Sequence, residues 1–167
     1  MKKCNLVLAF LIIGTVGTLW HFVYDLSGGN SFIGIIAPIN ESVWEHLKLL
    51  FFPALFYFII EYFLCKENCE NYIPAAVIGI FAGMLTITAF YYTYSGILGY
   101  GVAALDIFSY FLGLSVTLCV KRKILRNKCF CSKTAKYLSL FFTVLTAILF
   151  GVWSFYPPPL AIFIPPA

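Results

Sequence analysis

An all-α bundle that crosses a membrane is the fold class this chain predicts, and three observations predict it. Of its 167 residues, 62% are hydrophobic and only 11% are Asp, Glu, Lys or Arg, where soluble domains run near a quarter charged. Mean hydropathy is +0.93, too apolar for a water-facing surface. The apolar residues also gather into runs of roughly twenty, the length a helix needs to cross a hydrocarbon core of about 30 Å. Five such runs fall at about 5–24, 43–65, 73–93, 101–120 and 137–156. They predict one integral membrane domain over 1–167, multi-pass, in the cytoplasmic membrane.

The first run follows Lys2 and Lys3 and resembles a signal peptide at its start. It continues to about residue 24 without a small-x-small cleavage site, so an uncleaved span is expected. Its far end carries His21, Tyr24 and Asp25, which at i, i+3 and i+4 are expected to share one helix face. The connection 25–39 turns from Gly and Ser to "SFIGIIAPI". An apolar half is unusual for a wet loop and predicts a segment that dips back over the bundle.

The second helix is expected to begin near Asn40. Ser42 and Glu45 have capping-box spacing, with Asn40 as the alternative cap. Pro53 removes a backbone donor and should kink the helix near Leu49. The third run carries Ala75, Gly79 and Gly83 at four-residue spacing, a face suited to close helix contact. It ends among Tyr91, Tyr92 and Tyr94, and the fourth run carries Asp106 near its start. In the fifth, Pro157 to Pro159 should stop the helix and leave the tail outside. No internal repeat is visible, which does not support an inverted-repeat transporter.

Charge placement predicts orientation. Lys2 and Lys3, Lys66, and the cluster Lys121, Arg122, Lys123, Arg126, Lys128, Lys133 and Lys136 all fall on one side of a five-span chain. The positive-inside rule assigns that side to the cytoplasm, giving an N-terminus in and a C-terminus out. The net charge of +4 is thereby spent on topology and lipid headgroups, and nucleic acid is not an expected partner. Cys4, Cys65, Cys69, Cys119, Cys129 and Cys131 lie at that same side, where thiols stay reduced. Their spacings match no zinc knuckle.

The opposite side gathers the chemistry. His21, Asp25, Glu41, Glu45, His46, Lys48 and Asp106 come from three runs and share one depth. Intramembrane charges are costly and usually face a cavity or one another, so a shared polar pocket is expected, with Tyr91, Tyr92 and Tyr94 nearby. Glu41, Trp44, Glu45 and Lys48 fall at i, i+3, i+4 and i+7 and are expected to form one stripe, with His46 flanking it. Helix-end effects explain part of this: an anion in the first turn, a capping Glu45, a Lys48 that snorkels outward. Glu61 alone lies toward the inner side and is expected to reach headgroups.

The candidate catalytic residues are His21, Glu41, Glu45, His46, Lys48 and Asp106. Two histidines with carboxylates are a ligand set for a divalent metal such as zinc, and His21, Glu45, His46 and Asp106 are its candidate ligands. Tyr24, Asp25, Asn40, Ser42, Trp44, Tyr91 and Tyr92 complete the expected pocket. There is no HExxH, no serine is marked as a nucleophile, and metal-free acid–base work by either histidine stays open. Asn40-Glu41-Ser42 also matches a glycosylation sequon, read as coincidence at a helix cap.

"HFVYDLSGGN" followed by "PINESVWEHLKLLFFP" resembles a family of small bacterial multi-pass membrane proteins defined only as a domain of unknown function. That resemblance is specific over about residues 20–53 and implies that His21, Tyr24, Asn40, Glu41, Ser42, Trp44, Glu45, His46 and Lys48 are motif positions. It implies no activity. Three functions are therefore expected to compete. One is a membrane-embedded, metal-dependent hydrolase or transferase on a lipid-linked or peptide substrate. The others are a small ion- or proton-coupled transporter and a non-catalytic assembly or immunity-type partner, either of them as a homo-oligomer or with a membrane partner protein.

Overall fold

A computed structural model describes residues 5–65 and 71–165. The expectations for Cys4, Cys69, Lys2, Lys3 and Lys66 lie outside those residues. Seven α-helices and one 3-10 turn are present, with no strand among the described residues. They are α1 (Leu6–Trp20), α2 (Val23–Leu26), α3 (Ser31–Gly34), α4 (Val43–Cys65), α5 (Tyr72–Leu98), α6 (Ala103–Asn127), α7 (Lys133–Phe155) and the turn Ala161–Phe163. Helices α4 to α7 are long and apolar enough to cross a membrane, and the chain folds as a helical membrane bundle.

The first run differs from its expected length. Asn5 caps α1 by accepting from Val7 N at 3.1 Å, but the helix stops after 15 residues at Trp20. That is about 22 Å of rise, short of a full hydrocarbon core. The stop follows from tertiary contacts: Trp20 Nε1 donates to Ile36 O at 3.0 Å, fixing the turn into α2. His21, Tyr24 and Asp25 therefore do not share one helical face. Helix α6 runs seven residues beyond its expected end because Lys and Arg are good helix formers; it closes at Lys128, whose φ of 50° is left-handed.

The core of the bundle is the α5–α6 pair, which packs more extensively than any other. Close approach is possible because the facing positions lack side chains. A Cβ on Gly79 would lie 2.7 Å from Thr117 O, one on Gly83 2.6 Å from Gly113 O, and one on Gly113 2.8 Å from Gly83 O. Helix α1 lies antiparallel along α6, with Gly14 against Phe111 and Leu114 and Gly17 against Tyr110. A Cβ on Gly17 would also stand 2.6 Å from Leu49 O, the carbonyl that Pro53 leaves without its helical donor.

Two corrections concern charge. Glu61 does not reach outward; it is 6% exposed and pairs with Lys121, itself 5% exposed, beside the Tyr72 hydroxyl. Lys121 thus belongs to the bundle interior and not to a basic loop, while Arg122, Lys123, Arg126, Lys128, Lys133 and Lys136 are exposed. The proline-ended tail also differs from a free extension. After α7 the 3-10 turn folds back, burying Phe163 against Trp44 and Trp153.

The glycine contact gives a direct test. Gly83→Val should destabilise the folded protein by on the order of 1–3 kcal/mol or more, the usual cost of overpacking. Gly96→Ala, where nothing lies within 4 Å of the added carbon, should be neutral or stabilising. Thermal unfolding of the two variants in detergent checks the contrast.

Candidate functional site

At one end of the bundle, α1 finishes, α4 and α6 begin, and the 25–42 connection folds over them. Local hydrogen bonding decides how the polar residues divide there. Asn40 Oδ1 accepts from Ser42 N at 2.9 Å, holding 40–42 in a turn, so α4 starts only at Val43. Glu41 is consequently not helical and does not share a stripe with Trp44, Glu45 and Lys48. It points to one side of the helix start and they point to others.

On the first side, His21 Nε2 lies 3.5 Å from Glu41 Oε1 and His46 Nε2 lies 3.3 Å from Glu41 Oε2. The imidazole centroids are 5.5 Å apart. These three residues offer ligand atoms all within 4.8 Å of one another. His46 Nδ1 is 3.0 Å from Ser42 O. A carbonyl only accepts, so that nitrogen carries the proton and Nε2 is aimed at Glu41. The Glu41 side chain is 62% exposed and the two histidines about a third, which leaves the cluster open to water and ions.

The cluster sits on a cavity of about 280 Å³ between α1, α4, α5 and α6. Asp106 and Tyr91 line the same cavity. Asp106 accepts a hydrogen bond from the Tyr94 hydroxyl, which in turn accepts from Val102 N at 3.2 Å. Tyr92 is not part of the lining; its ring stands edge-on to Tyr91 at 5.3 Å.

On the other side, Glu45 and Lys48 turn away from the histidines, contrary to the expected ligand set. Both are essentially unexposed, at 1% and 0%. Lys48 Nζ is 2.8 Å from Glu45 Oε2 and donates to Gly34 O at 2.7 Å, Ser154 Oγ at 2.6 Å and Ala37 O at 3.2 Å. Glu45 Oε2 also accepts from Ile39 N at 2.9 Å, and Ser154 Oγ donates to Oε1 at 2.6 Å. Glu45 therefore does not close a capping box onto Ser42 N, and Lys48 does not snorkel. A lysine enclosed by four oxygens has no reason to reach for water.

The remaining expected residues are structural neighbours. Ser42 Oγ lies 3.4 Å from Glu45 N. Trp44 is stacked among Phe150, Trp153 and Phe163 at centroid distances of 4.7, 5.2 and 5.0 Å. Tyr24 packs beside Gly34, and Asp25 is exposed. Sequence reasoning missed Ser154, whose only signal was a hydroxyl in the last turn of an apolar helix. It also missed the carbonyls of Gly34 and Ala37, which no sequence pattern marks.

A family model described as "Family of unknown function (DUF6512)" matches residues 1–166. The chain belongs to that family. No curated protein and no solved structure shows significant similarity to this family member. The His/Glu cluster is thus read from its own geometry.

Removing one partner of the caged pair leaves the other as a buried, unpaired charge. Lys48→Met alone should cost on the order of 3–5 kcal/mol. Glu45→Gln combined with Lys48→Met should recover most of that loss, a double-mutant cycle readable by thermal unfolding.

Proposed function

We propose that this membrane protein is a metal-dependent hydrolase or transferase in which His21, Glu41 and His46 hold a divalent ion such as zinc. One observation carries the reading: two imidazole Nε2 atoms from separate elements converge on a single carboxylate at 3.5 and 3.3 Å. Ligand atoms about 2.0–2.1 Å from a tetrahedral zinc stand about 3.3 Å from one another. With Nδ1 engaged by Ser42 O, the His46 Nε2 is the ring nitrogen available to a cation.

Three protein ligands leave a fourth position open, the pattern of catalytic rather than structural zinc. A divalent ion held by His21, Glu41 and His46 would supply Lewis acidity and activate a water at neutral pH. Asp106, oriented by Tyr94, lines the same cavity and is the proposed proton carrier. It takes the proton as water, or an acceptor hydroxyl, bonds to the carbonyl carbon or phosphorus of an ester. The ester bond breaks and the proton passes to the departing oxygen. Glu45 and Lys48 support this site without touching it.

The competing functions fit less well. A transport path would have to join the His/Glu cluster to the Glu61–Lys121 pair. Along α4 the buried Leu50, Phe51, Ala54 and Phe58 intervene, and along α6 Leu114 and Leu118 do. A docking role for Trp44 competes with its packing among Phe150, Trp153 and Phe163.

Metal analysis of purified protein should find about one zinc per chain. His21→Ala, Glu41→Ala and His46→Ala should each lose it, while Asp106→Asn keeps it and loses turnover. Absence of metal from the wild-type protein after zinc loading would defeat the reading.

We further propose that this end faces the extracytoplasmic side of the cell membrane, which the exposed basic residues at the opposite end support. A membrane-impermeant maleimide should label Tyr100→Cys, at an exposed position beside the site, in intact cells. The exposed Cys129 and Cys131 should react only after permeabilisation.

A further inference from the structure

We propose that the cavity beside the His/Glu cluster is a subsite for one hydrocarbon chain of a lipid substrate, entered sideways from the bilayer between α1 and α6. This rests on the site proposed above and names its substrate class. Three observations carry it.

The first is where the cavity opens. Thr18 on α1 and Ala103 and Ile107 on α6 line it and are exposed on the bundle's outer face, Ile107 at 60%. Leu49 and Ile87 line it as well but are buried, at 7% and 5%. The lining therefore runs from the lipid-facing surface of two helices to the interior.

The second is the chemistry of its wall. Three of the hydroxyls that line it are turned onto backbone carbonyls: Thr18 to Gly14 O at 2.8 Å, Ser109 to Asp106 O at 2.7 Å and Tyr110 to Ile13 O at 2.9 Å; a fourth, on Tyr91, also lines it. Apart from His21, Glu41, His46, Tyr91 and Asp106, the lining presents mostly hydrocarbon. A peptide placed against that apolar wall would bury backbone donors and acceptors with few groups to receive them, whereas an alkyl or isoprenoid chain has none.

The third is size and polarity. About 280 Å³ is just under the range of about 300–1,000 Å³ typical of small-molecule pockets. It admits one chain and not the body of a two-chain lipid. His21, Glu41, His46 and Asp106 also line the cavity, so a chain seated in it brings its polar head to the proposed metal.

The test uses the full chain reconstituted in vesicles of phosphatidylethanolamine and phosphatidylglycerol. The probe is a lysophosphatidylglycerol carrying a diazirine at the end of its chain. Irradiation should label Leu49 and Ile87, which bulk lipid cannot touch. Ala103→Phe and Ile107→Trp, both at exposed rim positions, should abolish that labelling while leaving label on the outward-facing Leu19 and Ile148, and zinc binding, intact. Label confined to outward-facing residues overturns the proposal. So does interior label that survives both rim variants, or that a peptide displaces and unlabelled lysophospholipid does not. Interior labelling in a protein that binds no zinc would remove the metal reading and leave the chain subsite standing; zinc binding without interior labelling would do the reverse.

Discussion

Lys48 has no contact with water, and the arrangement of the whole site end follows from how that charge is held. Moving an ion into a protein interior costs several kcal/mol even after relaxation. Here the cost is offset by Glu45 and by oxygens from two further elements, the 34–37 connection and α7. The connection must therefore come down onto α4, and it does so at Gly34, where a Cβ would meet Ile39 at 2.8 Å, Tyr24 at 3.1 Å and Phe155 at 3.3 Å. Once seated, the connection offers Ile36 O to Trp20, which sets the end of α1 and hence the position of His21. It also places Ile39 N on Glu45, just ahead of Glu41. The ion pair thus locates two of the three converging residues without touching either.

A second buried pair, Glu61 with Lys121, sits at the far end of the same helices, with Lys121 Nζ 4.0 Å from the Phe58 ring centroid. Charged groups at membrane depth are tolerated when they pair inside the protein, and both pairs meet that condition. They tie α4 to α7 at one end and to α6 at the other. Between them the glycine faces of α5 and α6 supply backbone contact that needs no polar group. Both ion pairs are closed to solvent, whereas His21–Glu41–His46 is left partly open. That exposure separates a site from a strut.

The same distinction explains what the sequence could and could not reveal. The apolar run 43–65 coincides with α4, Val43–Cys65, because its hydropathy and charged end are local signals, while the helix start expected near Asn40 falls three residues later. The glycine spacing on α5 was legible because close packing needs small residues at that period. The expected ligand set of His21, Glu45, His46 and Asp106 put Glu45 in the place that Glu41 takes. A helical wheel depends on where the helix begins, and the Asn40 turn moves Glu41 off the wheel. Lys121 read as loop because it opens a basic run, yet its partner Glu61 is 60 positions away. Ser154 is 106 positions from Lys48, and no local pattern announces such a pairing.

The two sides of the site end differ in what closes them. Toward α7, the caged pair lies beside a stack of Trp44, Phe150, Trp153 and the tail residue Phe163. Aromatic rings at centroid distances near 5 Å gain about 0.5–1.5 kcal/mol per pair beyond the area they bury. A gap on that side would expose the two charges of the pair. Toward α1 and α6, contact is made by Gly14 and Gly17 against Phe111, Leu114 and Tyr110, and it stops short of Thr18, Ala103 and Ile107, which line the cavity rim. Helix α1 is also the shortest of the apolar helices that build the bundle. The cavity under the cluster is lined by Thr18 of α1 and by Ala103 and Ile107 of α6, so the helix that carries His21 at its end also forms one wall of the proposed entry.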